Sequence, residues 1–160
     1  MFLPVFEALW RAGVRYVTVG GVATVLHGYA RLTADIDLVI HLEPENWRRA
    51  IAALVDLGFR PRAPVDPFDF ADAAKREDWV RSKGLTVFSL FGTSSIPMEV
   101  DVFMEEPMDF ERLWTNRVER RIGDTTVQLV DKKSLIEMKR SVGQPQDLED
   151  VAALEGLPDE

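Results

Sequence analysis

The stretch from Asp35 to Ile40, DIDLVI, places the tightest constraint on this chain. Ile36 and the run Leu38-Val-Ile40 demand a buried strand, yet two carboxylates interrupt it. On a strand, residues i and i+2 share a face and lie about 6.6 Å apart. Asp35 and Asp37 therefore point the same way and repel. Burying either without a partner costs roughly several kcal/mol. The pattern returns in Val100-Asp-Val-Phe103, with Glu99 two residues before Asp101 on the same face. Taken alone, Glu99 and Asp101 are equally the polar side of a half-exposed strand. Taken with Asp35 and Asp37, they ask for bound cations. Aspartate oxygens are hard ligands, and the chain has no cysteine and two histidines, His27 and His41. Mg²⁺ or Mn²⁺ matches such a donor set.

Length and composition place these strands in one globular domain, residues 1–160. A chain of 160 residues, 46% apolar and 29% charged, is about one domain's worth and can bury a core unaided. No run approaches the roughly 20 apolar residues that cross a bilayer. The opening MFLPVFEALW lacks a basic leader and carries Pro4 and Glu7, so it does not read as a signal peptide. Without cysteine there are no disulfides, no thiolate nucleophile and no cysteine–zinc site. A cytoplasmic protein is expected. The net charge of −8 comes mostly from residues 141–160, which hold six acids and no Lys or Arg. Acidity argues against nonspecific duplex binding, which neutralises phosphates, and mildly against a large RNA partner.

The periodicity alternates between helix and strand. Val5, Phe6, Leu9 and Trp10 mark a helix from Pro4 to a stop at Gly13. Arg15–Val19 reads as a strand, Val22–Leu26 as a short helix, and Ile36–Ile40 as a central strand. Pro44–Leu57 is a second clear helix, with Trp47, Ile51, Leu54 and Val55 on one stripe. Pro61, Pro64 and Pro67 mark a loop, and Phe68–Arg81 reads as a helix with a thin apolar stripe. Leu85–Phe91 and Met98–Met104 are strands, Phe110–Trp114 a short helix, and 117–122 and 126–130 two more strands. The end is a helical pair, Lys132–Arg140 and Pro145–Leu154. The fold class is α/β (α+β): a short, mixed, twisted sheet with packed helices and a C-terminal helical pair.

One more feature points to chemistry. Gly20-Gly21 follows a strand and opens a helix, an arrangement whose free N–H groups favour a phosphate. Gly-Gly, a short helix, Asp-x-Asp on the next strand and a third Asp on a later one together resemble the nucleotidyltransferase superfamily with the DNA polymerase beta-like fold. The strings GGVATVLHGYARLTADIDLVI and LIEMKRSVGQPQDLEDVAAL look like its small prokaryotic branch, with relatives among abortive-infection and toxin–antitoxin nucleotidyltransferases. The resemblance spans Tyr16 to Leu154, except for residues 60–83, which match nothing in it.

The resemblance implies Mg²⁺-dependent transfer of a nucleoside monophosphate from a nucleoside triphosphate to an acceptor hydroxyl. It makes Asp35, Asp37 and Asp101 the catalytic and metal-holding residues, with Asp101 helping to deprotonate the acceptor. Gly20 and Gly21 would admit the β- and γ-phosphates. Arg31 and Thr33 occupy an Arg-x-Thr position common in similar proteins, where Arg31 either reaches a phosphate or is a solvated loop arginine. Lys139 and Arg140 either bind nucleotide or complement a helix C-terminus. Asp147 and Asp150 are read as orienting Lys139 or Arg140. Where the family tail commonly has Arg-x-Lys-Asp, this chain has Gln144-Pro-Gln-Asp147, which removes two cations. The acceptor stays open among a free antibiotic, a tRNA 3′ end and a protein hydroxyl. A protein partner or homodimer could complete the site. The alternative is a non-catalytic nucleotide-binding or toxin–antitoxin interaction module of the same fold. His27 and His41 are read as structural or solvated, Trp10 and Trp47 as core, and Trp79 or Trp114 as open to facing the nucleotide.

Overall fold

The computed structural model describes residues 2–159. Helix α1 (Leu3–Arg11) starts with Pro4 in its first turn and ends before Gly13, whose φ of +66° turns the chain into β1 (Tyr16–Val19). Helix α2 (Gly20–Leu26) follows with no intervening loop, so it begins two residues earlier than the apolar pattern suggests. Strand β2 (Asp35–Ile40) leads to α3 (Pro44–Asp56), whose start is set by Pro44 and by the Glu43 side chain accepting from the N–H groups of Glu45 and Asn46. Next come a two-residue strand β3 (Arg60–Pro61), a 3₁₀ turn (Pro67–Ala71) and α4 (Ala73–Lys83). The single helix expected over 68–81 is thus split. Asp72 is extended (φ −83°, ψ 118°) and caps α4 by accepting from Ala74 and Lys75 N–H. Then follow β4 (Val87–Phe91), β5 (Glu99–Phe103), α5 (Phe110–Asn116), β6 (Val118–Ile122), β7 (Thr125–Leu129), α6 (Lys132–Val142) and α7 (Pro145–Glu155).

The strands form one seven-stranded mixed sheet in the order β3-β4-β5-β2-β1-β7-β6. β1 is antiparallel to β2 and parallel to β7, and β2 is parallel to β5. Alternation then sorts the side chains. Ile36, Leu38, Val100 and Val102 enter a core with Phe6 of α1, Trp47 and Ile51 of α3, and Phe70 of the 3₁₀ turn. Val17, Val19 and Val39 enter a second core with Phe110 and Leu113 of α5, Leu135 of α6 and Leu154 of α7. The acids of β2 and β5 alternate with the first set, so they share the sheet face that carries the second core.

The tryptophans divide by environment. Trp47 is fully buried and donates its indole N–H to Pro67 O at 2.8 Å. Trp10, expected in the core, stands 45% exposed on α1. Trp79 packs edge-on against Phe70 and Phe88, on the face away from the acids. Trp114 is clasped by the guanidinium groups of Arg15 and Arg117, at the end of the sheet where β1 begins and β2 finishes. Neither of these last two faces the acids.

Candidate active site

The parallel pairing of β2 with β5 sets Asp37 opposite Asp101 and Asp35 opposite Glu99. One strand further, β4 sets Ser89 opposite Asp101 and Phe91 opposite Glu99. On the other side, β1 ends with Val19 opposite Asp37, and the chain turns there into Gly20 and Gly21. The sheet therefore brings together the glycine pair and the three aspartates named from sequence. Glu99 joins them. Asp35, Glu99 and Asp101 each bring a carboxylate oxygen within 4.8 Å of the other two, an arrangement that could hold a metal ion. Asp37 lies outside that tightest group because its carboxylate is turned toward Gly20.

Burial, and after it mutual repulsion, shows in the proton affinities. Burial pushes Asp37 up to about 7, reinforced by Asp101 and Asp35 and opposed by Lys139. Asp35 is raised by burial and by Glu99, with Arg62 opposing. Asp101 is raised by burial, and the hydroxyl of Ser89, donating to its Oδ1 at 2.6 Å, partly offsets this. In sequence, Ser89 is legible only as one of two polar residues, with Thr86, in the otherwise apolar strand Leu85–Phe91. Its partner depends on strand order, which local pattern does not encode.

The glycines act differently from a bare phosphate loop. Gly20 has φ +70°, and a Cβ there would overlap the Asp37 carboxylate. A Cβ on Gly21 would fall 2.5 Å from Thr33 Oγ1 and 3.0 Å from an Arg31 guanidinium nitrogen. Missing side chains thus let β2 and the segment before it close against the start of α2.

Arg31 and Lys139 converge on one buried carboxylate. Asp150 of α7 is 0% exposed. It accepts from Nε and a terminal nitrogen of Arg31, both at 2.8 Å, from Lys139 Nζ at 2.7 Å, and from Gln146 Nε2 at 3.0 Å. Burial alone would raise the Asp150 pKa, but these donors outweigh it and hold the group below the usual carboxylate range. Asp147 lies 3.8 Å from Lys139 and otherwise accepts from Gln144 N–H at the start of α7. Arg140 points elsewhere, to Glu155 on an exposed side of α6. Of the histidines, His27 places Nε2 2.7 Å from Val130 O, and His41 stacks on Phe110.

No family model matches this sequence, and no curated protein matches it either. Solved structures do. A lincomycin-bound lincosamide antibiotic adenylyltransferase, LnuA, is 15% identical with a TM-score of 0.65, over 98% of this chain and 96% of that one. ANT(2")-Ia, in complex with adenylyl-2"-tobramycin, is 15% identical with a TM-score of 0.60, over 96% and 84%. A nucleotidyltransferase-like protein from Paracoccidioides brasiliensis is 18% identical with a TM-score of 0.59, over 93% and 71%. At these identities the likeness is one of architecture. The chain has the fold of the nucleotidyltransferase superfamily.

Proposed function

We propose that the protein transfers a nucleoside monophosphate from a nucleoside triphosphate to an acceptor hydroxyl. The observation that carries this reading is the β2–β5 register, which lines four carboxylates along one face of an otherwise apolar strand pair. Their all-oxygen chemistry, and the raised proton affinities of Asp35, Asp37 and Asp101, fit a hard divalent cation, Mg²⁺ or Mn²⁺. Asp35, Asp37 and Asp101 would hold it. Bound there, such ions supply neutralisation of phosphate charge and a clamp on the attacking and leaving oxygens.

The residues then take these roles. The acceptor oxygen forms its bond to the α-phosphorus as its proton passes to Asp101, which Ser89 keeps oriented. The bond from the α-phosphorus to the bridging oxygen breaks, and pyrophosphate departs with that electron pair. Gly20, Gly21 and Thr33 border the phosphate side. Arg31 gives three of its five N–H groups to Asp150 and Leu32 O, and two remain for phosphate oxygens. Lys139, held by Asp150, offsets charge at Asp37, whereas Arg140 is turned away. A small hydroxyl compound is the acceptor class we favour, since two of the similar structures hold an antibiotic or its adenylylated form.

One observation favours the non-catalytic module instead. Gln144 and Gln146 stand where cations would flank a triphosphate, and Gln146 is engaged by Asp150. A single series separates the readings. Mg²⁺ with ATP should raise the melting temperature of the wild type and leave Asp35→Asn and Asp101→Asn unmoved. Labelled ATP should then label an acceptor only in the wild type. Binding without transfer across a broad acceptor panel supports the module. Unchanged binding in both variants removes the site assignment.

A further inference from the structure

Phe91 and Arg62 are left unused by the transfer reading, and with Glu99, the one carboxylate of the four to which it gives no role, they form a corner beside the aspartates. Phe91 ends β4 opposite Glu99, on the carboxylate face, and is 39% exposed. Arg62 follows β3, in the segment without counterpart in the sequence resemblance, and its N–H is fixed on Ser89 O at 3.0 Å. Its guanidinium lies 3.8 Å from the Phe91 ring centroid. It also donates twice to Glu99 Oε1, at 2.5 and 3.2 Å. An aromatic floor with a carboxylate wall is a recognition site for an organic cation. The cation now in it belongs to a side chain that is 58% exposed, and exposed ion pairs contribute little. It can be displaced.

We propose that this corner is the acceptor subsite, and that Arg62 stands in the resting protein where a positively charged amine of the acceptor will sit. The inference rests on the transfer reading and names its substrate class: an amino alcohol or amino sugar. Asp101 and Glu99 share one face of β5 and bring carboxylate oxygens within 4.8 Å of each other, so one small acceptor can meet the first with a hydroxyl and the second with an ammonium. A neutral polyol gains nothing from the corner. A polyanionic acceptor would meet four carboxylates on a chain of net charge −8.

The test is calorimetric titration in Mg²⁺ with tobramycin as the amino-sugar probe and sucrose as its neutral counterpart. The proteins are the wild type, Arg62→Ala, Glu99→Gln and Glu105→Gln, the last removing an exposed carboxylate beyond the other end of β5. Tobramycin should bind and sucrose should not. Removing the competing pair in Arg62→Ala should tighten tobramycin about threefold. Glu99→Gln should weaken it about tenfold or more, while Glu105→Gln stays within about twofold. Equal losses in the two glutamine variants overturn the proposal, because the probe then follows net charge alone. Weaker binding by Arg62→Ala overturns it as well. A parallel Mn²⁺ titration should leave Glu99→Gln within about threefold of the wild type, whereas a loss of about tenfold would make Glu99 an ion ligand and overturn the proposal. Mg²⁺–ATP binding is read separately. If it persists while tobramycin fails, only the acceptor assignment falls; if it is absent, the transfer reading falls.

Discussion

At the scale of single residues, Asp37 concentrates the conflict built into the site. Its pKa is about 7 in the folded chain against an ordinary 3.8. The folded state therefore holds the proton more tightly than the unfolded state. Stability contributed by the protonated group is complete below pH 4 and is lost as pH rises through 7. A tenfold change in proton affinity is worth about 1.4 kcal/mol, so the ionised form carries a penalty on the order of a few kcal/mol. Denaturation of metal-free protein at pH 8 should find Asp37→Asn more stable than the wild type, and Mg²⁺ should stabilise only the wild type. A wild type that gains stability from pH 5 to pH 8 without metal would contradict this. Gly20 offers an internally controlled test. Gly13 and Gly20 both have φ near +70°, but a Cβ at Gly13 meets open space and one at Gly20 meets Asp37. Gly13→Ala should cost about 1–2 kcal/mol from backbone strain alone. Gly20→Ala should cost more in urea unfolding and should also displace Asp37. Asp35, Asp37, Asp101 and both glycines were legible because each breaks its own local pattern. Glu99 was readable as part of the acidic face but received no role of its own, and Ser89 and Arg62 received none, because their significance lies in partners from other strands.

Among elements, α3 shows how helices fix the sheet that carries the acids. Asn46, 1% exposed, accepts from Arg15 N–H at 2.8 Å. It donates to Arg15 O at 2.9 Å and His41 O at 2.8 Å, joining the start of β1 to the end of β2. Asn46→Ala strands those backbone groups and should cost about 2–3 kcal/mol in chemical denaturation. An effect under about 0.5 kcal/mol would mean that water replaces the amide. Elements with a strong period or a clear stop were readable in advance, as α1 and α3 were. β3 was not: two residues have no period, and Pro61 is tolerated because β3 lies at the sheet edge. The break at Asp72 was signalled only by a capping side chain inside a polar stretch, where the apolar stripe was too thin to show a phase change.

At the scale of the whole molecule, two parts distant in sequence converge on one face. Asp150 ties the loop before β2 to α6 and α7, so the C-terminal helices are part of the site's scaffold. No described helix is long and apolar enough to cross a membrane. The sheet order, with β5 inserted beside β2, could not be read from local pattern at all, since parallel neighbours are chosen by global packing. That choice has a kinetic side. Asp37 and Asp101 become neighbours only when strands more than sixty positions apart dock side by side, and such nonlocal pairings form slowly. Their docking also pushes like charges together, since Asp37 lands opposite Asp101 and Asp35 opposite Glu99. Divalent cations that relieve the push should speed refolding, visible in stopped-flow fluorescence as a faster main phase in Mg²⁺ than in Na⁺ of equal ionic strength. Asp37→Asn should abolish the difference. On the proposed reading, the charges gathered for catalysis would then set a toll on the chain's own path to the native state, lifted by the same ion that is proposed to fill the finished site.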